Sequence, residues 1–234
     1  MTGDAHSAGW ELSSEASFMK DAEPLTDVSR YLDVLPDNTE VLVVGDVERF
    51  RDCNHKQGAN DLGFLGTCGL VSCEDVLRQF GIEATETSVV NYAARHGLCD
   101  ISATPPECGG TTEYSQAQLL TELGVPAHAE FGNSQEQLTQ YIEEGRGVII
   151  EVNAGELWNS PEHLGFGEIN HAVVVTGVAR DPVTGEIEGF YINDSGRGYR
   201  SDSGRFVDTD VMRYAWEAVG GTCVVTDIVR STSI

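Results

Sequence analysis

Gly66-Thr67-Cys68-Gly69-Leu70-Val71-Ser72 is the stretch on which the reading of this chain turns. A cysteine stands where a glycine-containing loop runs into an apolar-periodic segment. Leu70, Val71, Val76, Leu77 and Phe80 recur at helical spacing, and Gly81 supplies a C-terminal stop. The spacing predicts a helix over 68–80 with Cys68 at its start. Free backbone N–H groups and the positive end of the helix dipole favour thiolate over thiol there. The same N–H groups can face an oxyanion, and the small neighbours Gly66 and Gly69 let a carbonyl approach closely. Taken alone, the position also suits a buried structural thiol.

Working outward, residues 1–35 read as a polar, acidic lead-in with scattered apolar residues such as Trp10, Phe18 and Leu25. Val41 to Val44 is a β-branched run closed by Gly45, and 51–66 is irregular and glycine-rich. Downstream, helices are expected over 87–97, 115–124 and 134–145, the last two opened by Ser115/Gln118 and Ser134/Gln137 capping boxes. The period then changes. Val148 to Val152, His171 to Val178, Gly189 to Asn193 and Thr222 to Val229 read as strands, with a helix over 209–219. Asp181-Pro182 and Thr184-Gly185 mark a hairpin turn. Helices first and strands later give an α+β class, a helical part against a mostly antiparallel sheet. The expected division is a partly ordered lead-in, 1–50, and one domain, 51–234.

The hairpin matters because it joins two more chemical groups. His171 opens an apolar strand in Asn170-His171-Ala172-Val173-Val174-Val175-Thr176-Gly177, and Tyr191-Ile192-Asn193-Asp194-Ser195-Gly196 ends the return strand. Antiparallel pairing brings the second string back beside His171. A carboxylate or amide there would hold one ring nitrogen and leave the other for the thiol. Strand alternation allows only one of Asn193 and Asp194 to face the imidazole. A surface histidine and an ordinary Asn-Asp-Ser-Gly turn are the plainer readings of each string by itself.

Composition narrows the classes. The chain has 234 residues, with 14 Lys plus Arg against 38 Asp plus Glu, a formal charge of −24. Phosphate contacts need clustered basic residues, so nucleic acid is a poor partner. No apolar run approaches the roughly 18 residues of a membrane span. The N-terminus MTGDAHSAGW lacks the pattern of a secretory signal. The charge reads as solubility and self-repulsion, or as a field that steers in a basic partner. Cys53, Cys68, Cys73, Cys99, Cys108 and Cys223 contain no CxxC and no zinc-finger spacing. Reduced thiols suit most of them, and Cys99 with Cys108 is the local pair best placed for a bridge.

Cysteine at a helix start, then histidine on a strand, then Asp or Asn on the next strand: this order resembles the papain-like cysteine peptidase superfamily. The Cys68-Gly69 pair is more similar to the bacterial C39-like branch than to papain itself. Gln57-Gly58, Leu62-Gly63-Phe64, Gly66 to Ser72, Asn170 to Gly177 and Gly189 to Gly196 resemble the papain/C39-like domains at the C-termini of bacterial polymorphic toxins. The resemblance spans roughly 57–229. It implies a papain-like fold and a Cys68, His171, Asp194 triad, with no cofactor and no metal. It also implies an oxyanion-hole amide upstream of the cysteine. The family position six residues before the cysteine is Leu62 here, which leaves Gln57, the preferred candidate, or Asn60. Gly66, Gly69, Asn170 and Trp158 are expected to contact substrate. Cys73, one turn further along the helix, reads as core; His96, His128 and His163 read as structural.

The implied activity is acyl transfer at an amide or isopeptide bond of a protein or peptide. A glutamine deamidase or transglutaminase-like enzyme uses the same groups, and a catalytically silent binding module would keep the same shell. Toxin domains of this kind are secreted or delivered into a target cell as part of a larger protein and meet an immunity or inhibitor protein. Expressed alone, the domain would remain cytoplasmic.

Overall fold

The computed structural model describes residues 28–230. Trp10, Phe18, Leu25 and the rest of 1–27 lie outside the described residues. The elements run β1 (Arg30–Val34), β2 (Glu40–Gly45), α1 (Val47–Phe50), α2 (Cys68–Gln79), α3 (Glu86–His96), α4 (Glu113–Glu122), β3 (Ala127–Glu130) and α5 (Gln135–Glu143). They continue with β4 (Arg146–Val152), α6 (Ala154–Trp158), β5 (His171–Arg180), β6 (Ile187–Asn193), β7 (Ser203–Asp208), α7 (Thr209–Met212), a π-turn over Arg213–Glu217, and β8 (Cys223–Val229).

Among the described residues all the strand pairs are antiparallel, in the order β1-β2-β5-β4-β8-β3, with β6 between β5 and β7. β5 is the hub, and its residues from His171 to Ala179 are all buried. Such a strand reads as a continuous apolar run, without alternation, because both of its faces are covered. Its first half pairs with β4 and its second half with β2, while β6 runs along 174–180. Gly45 and Gly177 sit opposite each other where β2 meets β5. A Cβ on Gly45 would lie 2.4 Å from the Thr176 carbonyl oxygen, so only glycine permits this approach.

Two apolar layers flank the sheet. Leu70, Cys73, Val76 and Leu77 of α2 pack with Val89 and Val90 of α3 and Leu119 and Leu120 of α4 against Ile149, Ala172, Val174 and Val224. On the other side Leu138 and Ile142 of α5, with Met212, Ala215 and Trp216, cover Val148, Ile150, Val173 and Val175. The helices therefore do not form one lobe; α5 has crossed to the opposite face from α2–α4. The architecture is α+β and papain-like, with the α2 helix against an antiparallel sheet.

Three differences from the sequence reading have physical causes. β1 and β2 belong to the sheet, so the expected lead-in of 1–50 contributes two of its strands. Helix α4 starts earlier than 115 because Thr112, not Ser115, is the cap and accepts from the Ser115 N–H. Cys99 and Cys108 are not bridged; all six cysteines are free thiols, and Cys108 Sγ donates to the Ala103 carbonyl at 3.3 Å. No helix among the described residues is long and apolar enough to cross a membrane.

Candidate active site

Cys68 is the first residue of α2, and among the described residues no side chain caps the helix end. The preceding Thr67 makes no side-chain cap, and the first turn carries no acid. The Thr67 hydroxyl turns away and donates to Glu86 Oε1 at 2.7 Å. The opening N–H groups of α2 are left to the cleft, as the dipole argument requires. Gly66 is pinned by donating to the Cys108 carbonyl at 3.0 Å.

His171 opens β5 and is 5% exposed. Its Nε2 donates to Asp194 Oδ1 at 2.8 Å, which leaves Nδ1 for Cys68 in the same cleft. Asp194 also accepts from Trp158 Nε1 at 2.7 Å, from the Gly196 N–H at 2.9 Å and from Arg205 at 3.5 Å. Burial pushes the Asp194 carboxyl up, but its hydrogen bonds and the facing imidazolium hold it well below the usual carboxylate range. Burial lowers the His171 imidazole, yet hydrogen bonds to Asp194 and Cys68 and the negative charge on both raise it to about 10. The two strings meet through the hairpin. Val174 pairs with Asn193, and a register shift between Val175 and Gly177 fits the return strand to β5.

Asn193 points elsewhere. Its amide donates to the Phe50 carbonyl and to Asp75 Oδ2, and its oxygen accepts from the Gly204 N–H. Of the two residues that could face the imidazole, Asp194 does.

An open cleft of about 1080 Å³ holds Cys68 and His171 together with Gln57, Gly66, Trp158 and Asn170. Gln57 is fixed at both ends: Nε2 donates to the Leu65 carbonyl at 2.7 Å, and Oε1 accepts from Ser195 Oγ at 3.2 Å. One Nε2 hydrogen remains uncommitted. Asn60 has none left, since its amide donates to both the Phe64 carbonyl and Glu86 Oε1. Trp158 stacks obliquely on His171 with ring centres 5.1 Å apart. Asn170 directs its amide into the surrounding loop, donating to the His163 carbonyl and accepting from the Ala154 N–H. Gly69 does not line the cleft. It is buried where a Cβ would lie 2.1 Å from Thr111 Oγ1 and 2.6 Å from Gln116 Nε2, so its smallness serves packing of α2 on the 111–116 segment.

Burial raises Cys53 and Cys223 to about 12 and Cys73 well above its ordinary value. They stay protonated at neutral pH and read as core. Among the described residues no three His, Cys, Asp or Glu side chains are arranged to hold a metal ion.

Sequence reasoning passes over Glu86. Its carboxylate accepts from the N–H groups of Gly58 and Ala59, from Asn60 Nδ2 and from Thr67 Oγ1, at 2.7–2.9 Å. One buried side chain thus ties the Gln57 loop to the residue before Cys68. In the sequence Glu86 falls just ahead of the helix expected over 87–97, and its partners lie a loop away, on 58–67. Arg205, a second support of Asp194, carries no local signal at all.

A crystal structure of a Bacillus anthracis protein assigned as a C39-like peptidase superposes with a TM-score of 0.50. It is 19% identical, and the match covers 77% of this chain and 97% of that one. Uncharacterized proteins of Mycobacterium tuberculosis and Mycobacterium bovis are 30% identical over 172 residues, 63% of this chain and 72% of theirs. The family model described as Peptidase_C39 like family matches residues 46–224, from the turn after β2 into β8. This chain belongs to that family.

Proposed function

We propose that the chain is a cysteine-dependent hydrolase of peptidase type, acting on an amide or isopeptide bond of a protein or peptide. The observation that carries the reading is the buried His171, bonded to Asp194 at 2.8 Å and sharing one cleft with the Cys68 thiol at the open end of α2. His171 takes the Cys68 proton, and the thiolate attacks the carbonyl carbon. The oxyanion is held by the Cys68 N–H and the free Nε2 hydrogen of Gln57. His171 returns its proton to the leaving amine, which departs and leaves a thioester. Water, deprotonated by the same imidazole, hydrolyses the thioester and regenerates the thiol. Asp194 orients the ring, and Trp158 holds Asp194. Gly66 and Trp158 border the acyl group; Asn170 acts by fastening the loop beside it.

The toxin or effector context, with delivery as part of a larger protein and an immunity partner, is supported by the resemblance of the quoted strings. The test of the chemistry is site-mapped labelling with limiting iodoacetamide at neutral pH. Cys68 is expected to react first of the six cysteines and to slow sharply in His171→Ala. Equal total labelling of wild type and Cys68→Ala would remove the nucleophile. Mass spectrometry of unfolded casein treated with the enzyme reads the bond: fragments for a peptidase, a small mass gain on an intact chain for a deamidase.

A further inference from the structure

The cleft has a second polar patch that this chemistry does not use, made of Thr111, Gln116 and Glu151. Glu151 lies on β4 opposite Ala172, so it shares a sheet face with α2 and α4. It is 7% exposed, and among the described residues its carboxylate accepts one hydrogen bond, from Gln116 Nε2 to Oε1 at 2.6 Å. Gln116, 1% exposed, gives its other amide hydrogen to Thr111 Oγ1 at 3.1 Å. Its Oε1 is buried with no partner among the described residues. Turning the amide over would set that oxygen against the ionised carboxylate, which favours this orientation. The patch therefore offers Glu151 Oε2 and Gln116 Oε1 as acceptors, against a single hydroxyl hydrogen on Thr111.

No arginine or lysine among the described residues neutralises it. The charged groups acting on Glu151 are Glu113 from α4, which adds negative charge, and His171 from β5. The thiols of Cys73 from α2 and Cys223 from β8 complete the surroundings. A buried carboxylate with a free oxygen beside an orphaned amide oxygen costs stability unless a donor reaches both. The donor that suits is cationic and carries several N–H groups.

We propose that Glu151 and Gln116 form a subsite that takes a lysine or arginine side chain of the substrate beside the bond to be cut. The reading rests on the proposed hydrolase only for the words "beside the bond"; the pocket itself stands on its own geometry. An ammonium or guanidinium would donate to Glu151 Oε2 and to Gln116 Oε1 together. A chain of net charge −24 draws basic segments toward its surface. Burial raises Glu151 to about 7, and a bound cation would bring it back down.

The test uses Cys68→Ala protein, so that binding is read without turnover. Nα-acetyl-arginine amide and its neutral analogue Nα-acetyl-citrulline amide are titrated by NMR at physiological salt. The arginine compound is expected to bind about tenfold more tightly. Glu151→Gln in the same background should erase that difference, and Glu83→Gln, in the α2–α3 loop, should leave it. The preference should also weaken as pH falls through about 7 and stop depending on pH in Glu151→Gln, a readout that needs no new fold. Equal binding of the two compounds, or a preference that survives Glu151→Gln, overturns the subsite. A failed Cys68 labelling experiment would sink the hydrolase instead and leave this result intact.

Discussion

At the scale of single residues, the site is a chain of dependencies that ends at Asp194. The carboxylate orients His171 while Trp158, Gly196 and Arg205 hold it in turn. Asp194→Asn should lower kcat by about 10²–10⁴, the span general acid–base groups command, with little change in KM. Gln57→Ala should cost about 10²–10³ in kcat through loss of the proposed oxyanion donor. The histidine–carboxylate pair also sets a pH dependence. His171 rises from an ordinary 6.5 to about 10 in the fold, so its ionised form contributes stability that is complete below 6.5 and lost as pH climbs through about 10. Thermal melts should therefore decline between neutral pH and the folded value of about 10 more steeply in wild type than in Asp194→Asn. Cys68, His171 and Asp194 are legible in the sequence because each sits at the mouth of a strongly patterned element. Glu86 and Arg205 are not, because their partners lie on other segments and leave no trace in local spacing.

At the scale of elements, periodicity carries far. The helix opened by Cys68 follows from its apolar spacing, the hairpin from its Asp181-Pro182 and Thr184-Gly185 turn, and the strands β4, β5 and β8 from short apolar, β-branched runs. What escapes is short or polar. β3 is Ala-His-Ala-Glu, and β7 contains Gly204 and Arg205; neither alternates cleanly enough to read as a strand. The expected 209–219 helix is a single α-turn that widens into the π-turn of Arg213–Glu217, where Trp216 is fully buried and donates to the Thr222 carbonyl. Capping chemistry misleads once. Thr112 and Ser115 both suit a helix start, and the cap falls on the earlier one. Thr112→Ala should lose about 1 kcal/mol in denaturant unfolding, and Ser115→Ala distinctly less. Ser134 does cap α5 as its sequence suggests, accepting from the Gln137 N–H.

At the scale of the whole molecule, the fold reaches further toward the N-terminus than either the sequence reading or the family match. That match begins at residue 46, yet Val41, Val43 and Val44 of β2 are fully buried against β5. A chain beginning at residue 46 should expose the second half of β5 and melt markedly lower than the full chain, or aggregate. Differential scanning calorimetry of the truncated and full chains decides it. The same long-range assembly governs the site: Gln57, Cys68 and His171 come from both ends of the domain and share one cleft, which the buried Asp194 reaches through His171.

The indole of Trp158 sits 5.1 Å from the His171 ring, while Trp216 is fully buried and donates to the Thr222 carbonyl. A charged imidazole quenches indole emission and a neutral one does so far less. The protein thus carries an optical gauge of its own proton inventory. Light emitted by Trp158 should brighten as His171 discharges, and Trp158→Phe should silence that change, so ionisation of the reacting pair can be followed without any substrate in hand.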